Sequence, residues 1–228
     1  MYDIVKTYKK VDESLIKKYR DDLEESASIY EVMGSGALNH DFRPVWPETR
    51  IVGSAFTVQA RAGDNLILHK AITLLKPNDV LVVSCDGFQE SGGMWGGIMS
   101  VAAKTMGCPG MIIDGCVRDS IMMKNIEWWV WSRGFSIKRS TKMAPGKINN
   151  PIVVGNVLVN PGDLVFADND GVVIVPRERA QEVYDQACAR EKKEEGTIAS
   201  VQKDGTAAFK GNAAFQEAFA RLGLSEEP

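Results

Sequence analysis

Two short stretches of this chain hold residue types that could do chemistry together. One is Asp114-Gly115-Cys116-Val117-Arg118-Asp119, a fixed guanidinium beside a hard carboxylate. The other is Ser91-Gly92-Gly93-Met94-Trp95-Gly96-Gly97, a glycine-rich run ahead of an apolar helical segment. The first N–H groups of a helix lack intrahelical acceptors and sit at its positive end, so such a start favours a carboxylate or phosphate. A carboxylate takes a divalent cation and an arginine takes an oxyanion, which together suit an acidic substrate. Each feature alone has a plainer reading: the glycines as turn makers, Asp119 as the N-cap of a helix starting at Ser120, Arg118 as a surface ion pair. The chemistry requires that the fold bring both stretches to one mouth.

The elements that would do so are legible in the hydrophobic pattern. Residues 51–60 are β-rich, Gly63-Asp64 reads as a turn with an N-cap for a helix over 65–75, and 80–84 reads as a buried strand. That strand, the glycine-rich loop 87–97, a helix to about Met106, a stop at Gly107 and an apolar strand over 110–114 form a second unit. Two βαβ units in series predict a parallel core whose loops after 84 and 114 open on one sheet edge, the edge where such sheets bind ligands. Upstream, Leu15, Ile16, Tyr19 and Leu23 give residues 12–24 a helical stripe, residues 26–33 read as a short helix stopped by Gly34 and Gly36, and 39–49 read as a connection. Downstream, the apolar runs 151–154, 157–159, 164–166 and 172–175 are divided by Gly155-Asn156, Asn160-Pro161-Gly162-Asp163 and Asp168-Asn169-Asp170-Gly171, which predicts β-hairpins. Pro176 opens a long charged helix to about Glu195, stopped near Gly196, and a weak helix over 207–222 follows.

Composition narrows the function classes. A chain of 228 residues, 44% apolar and 25% charged, can form one sizeable core without disulfide or metal staples, so a single domain over 1–228 is expected. With 27 Lys and Arg against 30 Asp and Glu, the net charge of −3 offers no large positive field for nucleic acid or an anionic membrane. No apolar stretch approaches the roughly 20 residues of a membrane helix, and residues 1–18 lack the apolar run of a secretory signal, so a cytoplasmic protein is expected. Four cysteines without a CxxC pair and only two histidines cannot assemble a zinc finger; any metal should prefer oxygen. His40 and His69 read as surface or packing residues, Lys70 and Lys104 as solvated lysines, and Trp128-Trp129-Val130-Trp131 as core first and subunit interface second.

An ordered series of motifs goes further: Ala62-Gly63-Asp64-Asn65, Trp95-Gly96-Gly97-Ile98-Met99, Gly110-Met111-Ile112-Ile113-Asp114-Gly115-Cys116-Val117-Arg118-Asp119, Asn160-Pro161-Gly162-Asp163, and Ala167-Asp168-Asn169-Asp170-Gly171-Val172. Over about residues 28–195 the chain resembles the family of regulator of ribonuclease activity A and the 4-hydroxy-4-methyl-2-oxoglutarate/4-carboxy-4-hydroxy-2-oxoadipate aldolases. The resemblance implies an α/β fold, a swivelling β/β/α sandwich (phosphohistidine-domain-like) with helical N- and C-terminal extensions, the latter over 196–228. It also implies a homotrimer or homohexamer with the active site near a subunit interface. The activity it implies is that of a class II pyruvate aldolase, a lyase that cleaves a 4-hydroxy-2-oxo di- or tricarboxylic acid to pyruvate and an oxo acid. Mg²⁺ or Mn²⁺ chelates the 2-oxo acid, no lysine imine forms, and oxaloacetate decarboxylation is the expected side activity.

Carried over residue by residue, Asp119 would bind the metal and Arg118 would be the catalytic group holding the substrate oxygen. The backbone of Gly96, Gly97, Ile98 and Met99 would hold the carboxylate, and Glu194 or Glu195 of a neighbouring subunit would complete the outer shell. The residue types suit the reaction, because the enolate left by C3–C4 cleavage needs a cation and a guanidinium beside its oxygen. One departure stands out: active members place Asp or Glu where this chain has Gly97, with Asp86 and Glu90 the nearby acidic residues that could substitute. That departure supports the alternative, a non-catalytic module that binds a ribonuclease-type protein; the longer C-terminal part looks more like the aldolase branch. A menaquinone methyltransferase, a third label for such sequences, ranks last because no GxGxxG turn directly follows a strand.

Overall fold

The computed structural model of the chain describes residues 3–85, 92–205 and 212–224. Two helices, α1 (Glu13–Asp22) and α2 (Ser26–Met33), precede β1 (Arg43–Pro44), β2 (Ile51–Gln59), α3 (Leu66–Ile72) and β3 (Asp79–Ser84). Then come β4 (Gly93–Trp95), α4 (Gly97–Thr105), β5 (Gly110–Val117), α5 (Ser120–Asn125) and β6 (Trp129–Phe135). The remainder runs β7 (Lys147–Ile148), β8 (Ile152–Val154), β9 (Val157–Val159), β10 (Leu164–Ala167), β11 (Val172–Val175), α6 (Ala180–Asp204) and α7 (Ala213–Leu222). The main sheet has the order β1-β6-β5-β3-β2-β10-β11, with β4 added to β5 and β7 to β2; β8 and β9 form a separate hairpin. The strands β2, β3, β5 and β6 are parallel, as the two βαβ units require, whereas β10 pairs antiparallel with both β2 and β11.

Period-two alternation divides the core into layers. Val80 and Val82 of β3, Ile112 of β5, Trp131 of β6 and Val165 of β10 turn to one face, where the β8–β9 hairpin packs through Ile152, Val154 and Val159. Leu81, Val83, Met111, Ile113 and Val130 turn to the other, under α3 and α4 and against Trp95 and Trp128. That second face continues over β10 and β11, where Leu164, Phe166, Val173 and Val175 meet Ile16 and Tyr19 of α1, Ile29 of α2 and Val183 of α6. Hairpin, sheet and helices thus stack as the β/β/α sandwich. Among the described residues, no helix is long and apolar enough to cross a membrane.

Several elements depart from the sequence reading. The connection 39–49 contains β1, which pairs with β6 at Arg43↔Ser132. The helix expected over 65–75 is shorter, Leu66–Ile72, and Asn65 rather than Asp64 holds its N-cap position. Within the glycine-rich run, Gly93–Trp95 is a buried strand parallel to the end of β5, not loop; residues 86–91 lie outside the described residues. Asn160–Asp163 is no hairpin turn, because β9 pairs with β8 alone and the chain crosses here to β10. The Asp163 carboxylate fastens that crossing by accepting the N–H groups of Asn160 (2.8 Å) and Arg177 (3.2 Å). Gly196 does not end the charged helix, which continues to Asp204, so an extension starting at 196 would begin in mid-helix. A lone glycine costs about 1 kcal/mol in a helix interior, too little to stop a 25-residue element.

Candidate active site

The two stretches singled out by residue type do meet. Arg118 N–H donates to Trp95 O at 2.9 Å, extending the β4–β5 ladder so that the Arg-Asp turn lies against the start of α4. Trp95 holds that start in place. Its ring stacks on Trp128 with centroids 5.4 Å apart, and its Nε1–H donates to Ser100 Oγ (2.9 Å), which in turn donates to Gly96 O (3.1 Å). Asn65 Nδ2 donates to Met94 O (3.0 Å) and Ser140 Oγ to Gly93 O (3.1 Å), tying β4 from both flanks.

Asp119 adopts φ 64°, a left-handed conformation that aspartate tolerates better than most residues. Instead of capping its own helix α5, its Oδ2 accepts the N–H of Gly97, the first residue of α4, at 2.9 Å. Arg118 Nε lies 3.9 Å from the same oxygen, and both side chains are roughly half exposed. Gly97's N–H is therefore taken, and the next N–H groups, of Ile98 and Met99, have no intrahelical acceptor. The glycines here chiefly make room. A Cβ on Gly93 would stand 2.4 Å from Ser136 O and 3.1 Å from Arg118 Cδ, one on Gly96 would stand 2.6 Å from Asp119 Oδ2, and one on Gly97 would collide with Met122 Sδ.

The predicted set is thus partly assembled within one chain. Gly96, Gly97, Ile98, Met99, Arg118 and Asp119 converge, and a cleft of about 370 Å³ beside Arg118 and Asp119 is walled by Phe135, Ser136 and Ile137. Glu194 and Glu195 are not brought to it. They lie on α6, which packs on α1 and α2, and Glu194 pairs with Arg190 at 2.6 Å. Asp86 and Glu90 lie outside the described residues. Among the described residues no three His, Cys, Asp or Glu side chains converge as a metal cage. The donors present fit a more modest role, since Mg²⁺ is commonly held by one or two carboxylates with water and substrate oxygens filling the remaining positions. Asp119 offers one half-exposed carboxylate with one oxygen engaged, and Met122 occupies the space where a side chain at position 97 would add a second.

Sequence reasoning missed a neighbouring ionic group. Arg133 Nε donates to Asp114 Oδ1 (2.8 Å), its Nη1 donates to Asp41 Oδ2 (2.6 Å), and its guanidinium lies over the Phe42 ring. Asp114, part of the recognised motif, therefore serves Arg133. The pair lines a separate cleft of about 520 Å³ with Gln59, Ser84 and the β8–β9 hairpin. An arginine directly after the buried run Val130-Trp131-Ser132 was the available signal. Neither histidine lines the cleft of Arg118 and Asp119: His40 lies beside Asp41, and burial holds His69 on α3 below the ordinary imidazole range.

A three-layer α/β sandwich presenting an Arg-Asp pair across a helix start is the class of protein that fold and site define. The family profile described as RraA-like, Aldolase/RraA, matches residues 26–174. A protein of Halalkalibacterium halodurans, named a candidate 4-hydroxy-4-methyl-2-oxoglutarate aldolase, is 35% identical over 150 residues, 66% of this chain and 71% of that protein. Among solved structures, an uncharacterized protein from Pseudomonas syringae pv. tomato superposes with a TM-score of 0.78 at 29% identity, covering 88% of this chain and 93% of that one. Streptomyces coelicolor RraAS2, described as an unusual member of the RNase ES inhibitor RraA protein family, gives 0.72 at 26% identity, covering 84% and 99%. The chain belongs to the RraA-like family.

Proposed function

We propose that this protein is a divalent-metal-dependent carbon–carbon lyase acting on a 4-hydroxy-2-oxo di- or tricarboxylic acid, releasing pyruvate and an oxo acid. The observation that carries the reading is the Arg118-Asp119 pair set against the start of α4. The name of the Halalkalibacterium relative supports the reaction class. In this reading the N–H groups of Ile98 and Met99 bind the substrate's 1-carboxylate. Arg118 binds the 2-oxo oxygen and strengthens its hold as C3–C4 cleavage turns that oxygen into an enolate, where a preorganised cation contributes most; the proton leaving the 4-hydroxyl passes to water, and C3 of the enolate takes one back to give pyruvate. Asp119 would hold Mg²⁺ or Mn²⁺, whose chemistry when bound is to polarise the 2-oxo group as a Lewis acid. The bond to Gly97 fixes the carboxylate's direction. Oxaloacetate decarboxylation passes through the same enolate and follows as a side activity. The site would be completed between copies of the chain in a homotrimer or homohexamer, with Glu194 or Glu195 supplied by the neighbour.

Pyruvate release tests this directly. With Mg²⁺ or Mn²⁺, release is expected from 4-hydroxy-4-methyl-2-oxoglutarate, 4-carboxy-4-hydroxy-2-oxoadipate or oxaloacetate, inhibited by chelator and lowered at least a hundredfold in Asp119→Ala. No release from any of the three, or release unchanged in Asp119→Ala, would sink it. The second reading, a protein-binding regulator without catalysis, draws on Met122 occupying the space beside Gly97 and on the likeness to RraAS2. Stable capture of a ribonuclease partner without metal-dependent turnover would favour it.

A further inference from the structure

The parallel strands carry a polar row at their carboxyl ends. Gln59 of β2 and Ser84 of β3 are register partners. Val83 pairs with Ile113 of β5, and Ile113 with Ser132 of β6, so the residues that follow, Ser84, Asp114 and Arg133, continue the row across the sheet. Val58, Val83 and Ile113 turn to the α3–α4 face and Trp131 to the hairpin face, so alternation directs all four polar residues to the hairpin side. Earlier positions on that face, Val80, Val82 and Ile112, are apolar and packed. The row instead floors the cleft of about 520 Å³ walled by the β8–β9 hairpin. Parallel sheets hold ligands at this edge.

Two members of the row have hydrogen-bonding capacity left over. Ser84 is 7% exposed, and its hydroxyl has no hydrogen-bond partner among the described residues. Asp114 is also 7% exposed; its Oδ1 accepts from Arg133 Nε, and its Oδ2 accepts nothing from the described residues. Neither oxygen is fully enclosed, unlike the unpartnered Oγ of Ser54, so both open on the cleft that their residues line. Polar groups buried to this degree ordinarily find a partner. Asp114 and Arg133 are the only charged side chains lining the cleft among the described residues, and their charges cancel, which favours neither an anion nor a cation. A serine hydroxyl that donates and accepts, beside a carboxylate oxygen that accepts, suits alcohol hydroxyls. Neighbouring strands lie about 4.8 Å apart, so one molecule must carry several hydroxyls to meet both groups. Val153 and Leu158, paired across the hairpin and each more than half exposed, offer apolar surface for its carbon skeleton.

We infer that this cleft binds a neutral polyhydroxylated molecule, a sugar or polyol, with Ser84 Oγ and Asp114 Oδ2 taking its hydroxyls. The inference does not depend on the lyase reading. Isothermal titration of the full chain with glucose, ribose and sorbitol tests it, the two sugars probing a ring and sorbitol an open chain. Saturable binding of at least one is expected, with putrescine and succinate, a cation and an anion of similar size, binding at least tenfold more weakly. Ser84→Ala removes a hydroxyl that bonds to nothing in the unliganded chain, so the melting temperature should hold while affinity falls at least threefold. Arg118→Ala should bind as the parent does. No saturable binding of any of the three, tighter binding of putrescine or succinate, affinity unchanged in Ser84→Ala, or affinity lost in Arg118→Ala would overturn the inference.

Discussion

Met122 Sδ and a single hydrogen atom at position 97 decide how many carboxylates can stand at the candidate site. Because a Cβ at 97 would collide with that sulfur, Gly97→Asp alone should overpack the junction of α4 and α5 and lose roughly 1–3 kcal/mol. Gly97→Asp combined with Met122→Ala clears the space and places a second carboxylate beside Asp119. Calorimetric titration with Mn²⁺ should then show affinity raised about tenfold over the parent, since ligand charge sets the affinity of hard cations. Unchanged Mn²⁺ affinity in the stable double variant would mean that the two positions do not share a cation. Asp64 presents a different residue-scale case. Burial opposes its charge, but the Thr141 hydroxyl and the N–H groups of Met143, Leu66 and Ala144 outweigh that opposition and hold its pKa at about 2. The folded value lies below the ordinary 3.8, so the stabilisation is fully present above about pH 4 and is lost as pH falls through about 2. Asp64→Asn should lose about 2 kcal/mol at pH 7 through its charge-assisted bonds, and the gap between parent and variant should close toward pH 2 in urea melts. A gap independent of pH would place the loss in packing instead.

Among the elements, α6 gives the sharpest disagreement between local signal and observed structure. Gly196 reads as a stop, yet the helix passes through it, and a Cβ there would meet nothing within 4 Å. Gly196→Ala should therefore stabilise by about 1 kcal/mol, a rise of roughly 2–4 °C in melting temperature. A fall would show that the helix breaks there. The same contrast explains what was legible in the sequence. In α1, β3 and β5 the apolar spacing is that of a buried face, so local pattern and tertiary packing agree. β4 was hidden because a three-residue strand containing glycine has no period; it exists only because β5 outruns β3 and offers its end for pairing. Asn160-Pro161-Gly162-Asp163 reads as a turn in either case, and nothing local says whether the strands beside it pair with one another. At the site, Arg118 and Asp119 were legible from residue type and motif order. The role of the glycines as space for those side chains was not, and neither was the linkage of Arg133 to Asp114 and Asp41 across 19 and 92 residues of chain.

At the scale of the whole molecule, the mouth of the candidate site is strongly apolar for a surface. Phe135 and Ile137 wall the cleft of Arg118 and Asp119, Ile98 and Ile121 stand exposed on the adjoining helices, and Ile137 is 92% accessible. Apolar side chains clustered in this way mark surfaces that are covered by another chain. Ile137→Glu should accordingly shift the sedimenting species to the monomer and lower pyruvate release with it, whereas an unchanged sedimentation coefficient would remove this rim from any interface. Closure of a ring by head-to-tail contacts would place residues of two copies in each site. Asp119→Ala and Glu194→Ala/Glu195→Ala would then each be impaired alone yet complement when mixed, because some sites combine an intact Asp119 with an intact α6 from the neighbour. Random pairing of equal amounts gives about one site in four with both contributions, so unfolding and refolding the two variants together should restore pyruvate release to roughly a quarter of the parent's. Release no higher than the mean of the separate variants would confine the chemistry to a single chain and leave the two glutamates as solvated residues of α6.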